Sequence, residues 1–224
     1  TAQPMVGLSG QPVDLSAGDI DGDGDVDVAV ATYTGYSGYY GGGGDAEGFV
    51  EVLVGHGDGS LTPGDVHSLP DPPAAIVARD FDDDGDADLA AAGATGEGTY
   101  GTERSRSSVS VLISRGTDGL SAPTTHTVAH EPTDLLTGDL DGDGDLDLAA
   151  VTQGQYNYFQ PARHAASVLL GRGDGSFGEA ADTGLTHRPG RAGAGDLDGD
   201  GDFEIVVAPH RFSGLQELTV LAGA

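Results

Sequence analysis

Aspartate occupies every second position from Asp139 to Asp147 in "GDLDGDGDLDLAAV" (138–151), and an apolar run follows at once. Five carboxylates within nine residues repel one another unless a cation lies among them, because close like charges raise each other's pKa or draw in a counterion. The pattern returns as "GDIDGDGDVDVAVA" from Gly18, "RDFDDDGDADLAAA" from Arg79 and "GDLDGDGDFEIVVA" from Gly195, a period of about 60 residues. The chemistry that fits is coordination of a hard cation by oxygen. Calcium takes about six to eight oxygens, and such a loop offers side chains from positions 1, 3 and 5, a main-chain carbonyl from position 7 and a closing carboxylate from position 9. The candidate ligands are Asp19, Asp21, Asp23, Asp25 and Asp27; Asp80, Asp82, Asp84, Asp86 and Asp88; Asp139, Asp141, Asp143, Asp145 and Asp147; and Asp196, Asp198, Asp200, Asp202 and Glu204. About four calcium ions are expected, with the Glu204 loop departing most from the pattern. Position 6, where the chain must turn sharply, is Gly24, Gly85, Gly144 and Gly201.

An EF-hand would require a glutamate at position 12 and a helix beyond it. Position 12 is instead Val30, Ala91, Ala150 and Val207, inside short apolar runs of strand character. The loops therefore join strand to strand. In the third repeat, "TDLLTG" (133–138) leads into the loop, "DLAAVT" (147–152) leaves it, and "ASVLLG" (166–171) and "ADTGLT" (181–186) complete four strands, a to d. Strands c and d are joined by "GRGDGSF", matched by "GHGDGSL" at Gly55 and "RGTDGL" at Arg115, with Asp-Gly as the hairpin signal. Units of four antiparallel strands at this spacing predict an all-β fold, a β-propeller of four blades in one domain spanning residues 1–224. The last unit, ending "ELTVLAGA", stops at strand c, and "MVGLS" (5–9) is in phase with strand d. An N-terminal strand completing the last blade would close the ring and protect its edges. The rival is that the repeats are part of a larger propeller, or half of one that pairs with a second chain.

D-x-D-G-D-G-x-x-D after a first strand, an apolar second strand and a G-x-G-D-G-S-F hairpin together resemble the FG-GAP or VCBS repeat of integrin alpha-subunit propellers and of many secreted bacterial and fungal proteins. The resemblance covers nearly the whole chain. It implies calcium bound on one face of a propeller. Members commonly have seven blades, and their roles range over adhesion, sugar binding and lyase chemistry.

Composition narrows the partners. Acidic residues number 37 against nine basic, a net charge of −28, and lysine is absent. Even about four calcium ions leave a strongly negative surface. That excludes nucleic acid and anionic membranes, whose binding rests on neutralising phosphates. No apolar run is long enough to insert in a membrane. The absence of cysteine fits a secreted, extracellular or cell-surface protein stapled by metal. The chain begins at Thr1 without Met, which fits processing or excision from something longer.

In a propeller the a-to-b and c-to-d turns share one face, and the b-to-c loops lie on the other. Those loops are expected to hold all seven tyrosines, Tyr33 among them, and much of the basic charge. The candidate ligand contacts are Tyr36, Tyr39, Tyr40, Tyr100, Arg104, Arg106, Tyr156, Tyr158, Phe159, Arg163, His164 and Arg211. Tyrosine and arginine give large contact area with a polar end, which suits a carbohydrate or a cell-surface protein. No nucleophile and base are evident in sequence, so no catalytic residue is assigned and a binding role is expected over an enzymatic one. The alternatives are a lyase-type enzyme acting on polysaccharide and a passive adhesion or structural domain. Oligomeric state is not specified by sequence.

Overall fold

A computed structural model describes residues 5–35, 46–95, 107–154, 162–211 and 217–221. Sheet 1 comprises β1 (Gln11–Gly18), β2 (Asp27–Thr34), β3 (Glu47–Gly55) and β4 (Leu61–Leu69). Sheet 2 comprises β5 (Pro73–Arg79), β6 (Asp88–Ala94), β7 (Ser107–Leu112) and β8 (Thr124–Thr127). Sheet 3 comprises β9 (Glu131–Gly138), β10 (Asp147–Gln153), β11 (His164–Leu169) and β12 (Ala181–Leu185), and sheet 4 comprises β13 (Pro189–Gly195), β14 (Glu204–Pro209) and β15 (Thr219–Leu221). Every sheet is antiparallel, with its strands in chain order from one edge to the other. Each aspartate loop joins the first and second strands of its sheet.

The sheets stack face to face, and a core fills each junction. Ala29, Ala31, Val50 and Val52 of sheet 1 meet Ile76, Ala78, Leu89, Ala91 and Leu112 of sheet 2. Ala90, Ala92, Val109 and Val111 on the other side of sheet 2 meet Leu135, Leu148, Ala150 and Leu169 of sheet 3. Ala149 and Val151 of sheet 3 meet Ile205 and Val207 of sheet 4. Successive residues of a strand point to opposite faces, so a strand covered on both sides reads as an unbroken apolar run. The runs "DLAAA" and "DLAAV" in β6 and β10 have this form, and their residues are buried throughout. Alanine lets the sheets approach closely. At Gly138 the approach is such that a Cβ would collide with the ring of Phe203 from the next sheet.

The architecture is thus a series of repeated antiparallel sheets of the propeller type, with one correction to the expected blades. Sheet 4 has three strands among the described residues, and Met5–Ser9 form no strand. The main-chain N–H groups of Ser9 and Gly10 donate instead to the carboxylate of Glu51 at 2.9 and 3.1 Å, and Thr32 Oγ1 donates to the same group at 2.7 Å. Glu51 is buried in β3. This segment is thereby tied to sheet 1, and Met5 stands in solvent.

Candidate metal centres

Each loop is built from its own carboxylates before any ion enters. The position 6 glycines adopt φ of +91°, +100°, +95° and +108°, a left-handed turn that only glycine enters without strain. In the first three loops the N–H of that glycine donates to the position 1 aspartate, at 2.9 Å for Gly24 to Asp19 and Gly85 to Asp80 and 3.0 Å for Gly144 to Asp139. The position 5 carboxylates, Asp23, Asp84, Asp143 and Asp200, accept the N–H of position 7. Loop 2 carries Asp83 where the others have glycine at position 4, at φ 59°.

Position 9 does more than close the loop. Asp27, Asp88 and Asp147 are fully buried. One oxygen of each accepts the N–H of position 2, from Ile20 at 2.9 Å, Phe81 at 2.8 Å and Leu140 at 2.8 Å. The other accepts from the hairpin between the third and fourth strands, from Gly55 at 2.7 Å, Ser114 at 2.6 Å and Gly171 at 2.7 Å. Glu204 takes only the first role in the described residues, accepting from Leu197 N–H at 2.8 Å. The spacing of the acids alone marks position 9 only as a ligand. Its place at the head of each buried strand was the available signal.

Three carboxylates converge in every loop: Asp19, Asp21 and Asp27; Asp80, Asp82 and Asp88; Asp139, Asp141 and Asp147; and Asp196, Asp198 and Glu204. In each triad, oxygens from the three residues lie within 4.8 Å of one another, a spacing that an ion holding oxygens at about 2.3–2.6 Å can span. Asp19 Oδ1 and Asp82 Oδ1 are buried with no hydrogen-bond partner, which costs free energy unless a cation satisfies them. Four acidic clusters of oxygen donors therefore fit calcium in number, charge and spacing. The position 5 residues stand outside these triads. At position 7, the Asp25 and Asp145 carboxylates face Gly57 and Gly173 of their own hairpins, whereas Asp86 and Asp202 face Gly22 and Gly142 of the preceding loops.

Electrostatics point the same way. Burial pushes Asp88 up to about 6, partly offset by its two N–H donors, and also raises Asp147. Burial and then neighbouring aspartates raise Asp21, Asp82, Asp86, Asp145 and Asp202, and the charge of Asp200 raises Asp198. A carboxyl whose folded pKa exceeds its unfolded value favours the fold while protonated and opposes it once pH rises through the folded pKa. A cation inverts this, since it binds only the ionised form. Calcium affinity is therefore expected to fall steadily from pH 7 to pH 5, measured by calorimetric titration at both ends. An unchanged affinity would place the ion away from Asp88 and its equivalents.

Of the ligand-contact candidates, Tyr36, Tyr39, Tyr40, Tyr100, Arg104, Arg106, Tyr156, Tyr158 and Phe159 lie outside the described residues. Arg163 and Arg211 are exposed between strands. Two positions depart from the expected loops. Tyr33 lies on β2, its hydroxyl donating to Gln11 Oε1 at 3.0 Å, because it pairs across the sheet with Gly48. His164 begins β11, paired with Leu185. Its Nδ1 accepts from Gly154 N–H at 3.2 Å, and burial followed by the Arg188 charge lowers its pKa. The described residues contain no helix long and apolar enough to cross a membrane.

A family model described as an FG-GAP-like repeat matches residues 19–91 and again 80–150. No curated protein matches the chain.

Proposed function

The chain belongs to the FG-GAP-like repeat family, and from that premise we propose that it is a secreted, calcium-stabilised propeller module that recognises a carbohydrate or a cell-surface protein. The observation that carries the calcium reading is the recurrence of one carboxylate triad in four loops, with buried oxygens left unpaired in two of them. Support for recognition comes from composition. Six of the seven tyrosines fall in the three segments between second and third strands of sheets 1 to 3, within 35–46, 95–106 and 154–163. Loops on a rigid scaffold are where binding residues concentrate, and tyrosine with arginine suits hydroxyl-rich or protein surfaces. The module acts by binding, as a lectin-like or adhesive unit.

Replacing Tyr39, Tyr100, Tyr156 and Tyr158 together by alanine is expected to abolish capture on a glycan array or in pull-downs with surface proteins. Calcium-dependent melting should be unchanged, since these residues lie outside the metal loops. Retained capture would move the site elsewhere. Release of unsaturated products from acidic polysaccharide would replace the binding role with lyase chemistry.

A further inference from the structure

Loops 2 and 4 each lean onto the loop before them, and loop 3 does not. Ala87, at position 8 of loop 2, donates its N–H to Asp19 O of loop 1 at 2.6 Å, and Phe203, at position 8 of loop 4, donates to Asp139 O of loop 3 at 2.8 Å. Among the described residues, Leu146 N–H makes no matching bond to Asp80 O. The hairpin contacts persist at both kinds of junction, with Ser114 Oγ donating to Ile20 O at 2.6 Å and Gly175 N–H to Phe81 O at 3.0 Å. The difference lies in the loops.

Loop 2 carries its cause at two positions. Gly18 and Gly138 stand just before loops 1 and 3, where a Cβ would meet the Ala87 side chain at 2.6 Å or collide with the Phe203 ring. Arg79 stands at that place before loop 2, which denies Leu146 the same close approach. Gly22 and Gly142 hold position 4 of loops 1 and 3; a Cβ on Gly22 would come within 2.6 Å of Asp86 Oδ1, and one on Gly142 would strike Asp202 Oδ1. Only glycine leaves that room. Position 4 of loop 2 is Asp83, which brings a side chain and a like charge to the same place, and Asp145 faces Gly173 of its own hairpin instead. Electrostatics repeat the division. Burial and Asp84 raise Asp86 most, followed by Asp19 of loop 1, while burial and Asp200 raise Asp202 most, followed by Asp139 and Asp141 of loop 3. For Asp145, raised by burial and then Asp143, the next charge is Asp83 of loop 2, which stands outside the triad.

We propose that the carboxylates of Asp86 and Asp202 serve the calcium sites of loops 1 and 3, so that each of these sites draws charge from the following sheet while the loop 2 site relies on its own loop. This rests on the reading of the triads as calcium sites. Position 7 supplies the ion of its own loop through the main-chain carbonyl, which leaves the side chain for a second use. In loops 2 and 4 that side chain stands beside position 4 of the neighbouring loop, the residue between Asp21 and Asp23 or between Asp141 and Asp143. A further negative charge there opposes the metal-free loop and favours a divalent ion.

The amide signals of Gly24, Gly85 and Gly144 report loops 1, 2 and 3 separately in a calcium titration followed by nuclear magnetic resonance, since each N–H donates to the position 1 carboxylate of its own loop. At about 0.15 M salt, charges beyond about 8 Å are screened, so close neighbours dominate. Asp86→Asn should raise the calcium midpoint of the Gly24 signal about fivefold or more and leave that of Gly144 within about twofold. Asp202→Asn should raise the Gly144 midpoint and spare Gly24. Asp145→Asn should leave the Gly85 midpoint within about twofold, because no carboxylate from loop 3 serves loop 2. Asparagine keeps the size of the side chain, so the fold stands in all three variants. An unmoved Gly24 midpoint in Asp86→Asn, or an equal shift of Gly85 in Asp145→Asn, would overturn the proposal. Glycine signals that ignore calcium in the unaltered protein would instead sink the metal reading beneath it.

Discussion

Adding EDTA is expected to lower the melting temperature by about 10–30 °C, the scale of several kcal/mol in a chain of this length. The size follows from the donor sets. With extracellular-type dissociation constants and millimolar calcium, each site contributes roughly 1–2 kcal/mol, or about 4–8 kcal/mol for four independent sites. Ordinary domains have only about 5–15 kcal/mol in total. Removing the ion also restores repulsion within each triad, whose carboxylate oxygens lie within 4.8 Å, so the metal-free loops push against their own closure. The loops are moreover part of the sheet junctions, through the Asp19 and Asp139 carbonyls, so loosening a loop loosens the packing beside it. Differential scanning calorimetry in calcium and in EDTA decides the matter, with readdition of calcium restoring the melting point. A shift of one or two degrees would leave the acidic loops as solvated turns.

How much of this was legible in sequence depends on the range of the forces involved. The loops, their turning glycines and the Asp-Gly hairpins are local, set by residues a few positions apart, and the strands flanking the loops appear where the apolar runs place them. Cross-strand and cross-sheet effects were less visible. Tyr33 and His164 are drawn onto strands by partners on neighbouring strands, Gly48 and Leu185. Ser9 and Gly10 turn to Glu51, over forty residues away, and this contact holds the segment expected to complete sheet 4 against sheet 1. A lone acid within the apolar run "FVEVLV" was its only sign in sequence. The exposure of Leu15 and Leu197 could not be read either, because their equivalents, Ile76 and Leu135 for the first and Ile20, Phe81 and Leu140 for the second, are apolar too yet buried.

Asp147→Ala is expected to destabilise the fold even in EDTA, whereas Asp143→Ala should matter only in calcium. Asp147 is fully buried and accepts from Leu140 N–H at 2.8 Å and Gly171 N–H at 2.7 Å. Alanine leaves both donors without a partner, at about 1–3 kcal/mol each. One effect opposes this. Burial raises the pKa of Asp147, so deleting it also removes the cost of holding a charge in a poorly solvated place. The donors win because two main-chain groups in the loop and the hairpin lose the acceptor that joins them, so the predicted loss is roughly 2–5 kcal/mol. Asp143, by contrast, is exposed and, among the described residues, accepts only Asp145 N–H at 2.9 Å, a group that water can serve in its place. Its loss in EDTA should cost less than about 0.5 kcal/mol. In calcium both variants should lose binding at the third loop, so each falls further below the unaltered protein while the gap between the two stays as it is in EDTA. Urea denaturation of the two variants with and without calcium measures all four quantities, and equal stabilities in EDTA would mean that position 9 is a ligand without the role of joining loop to hairpin.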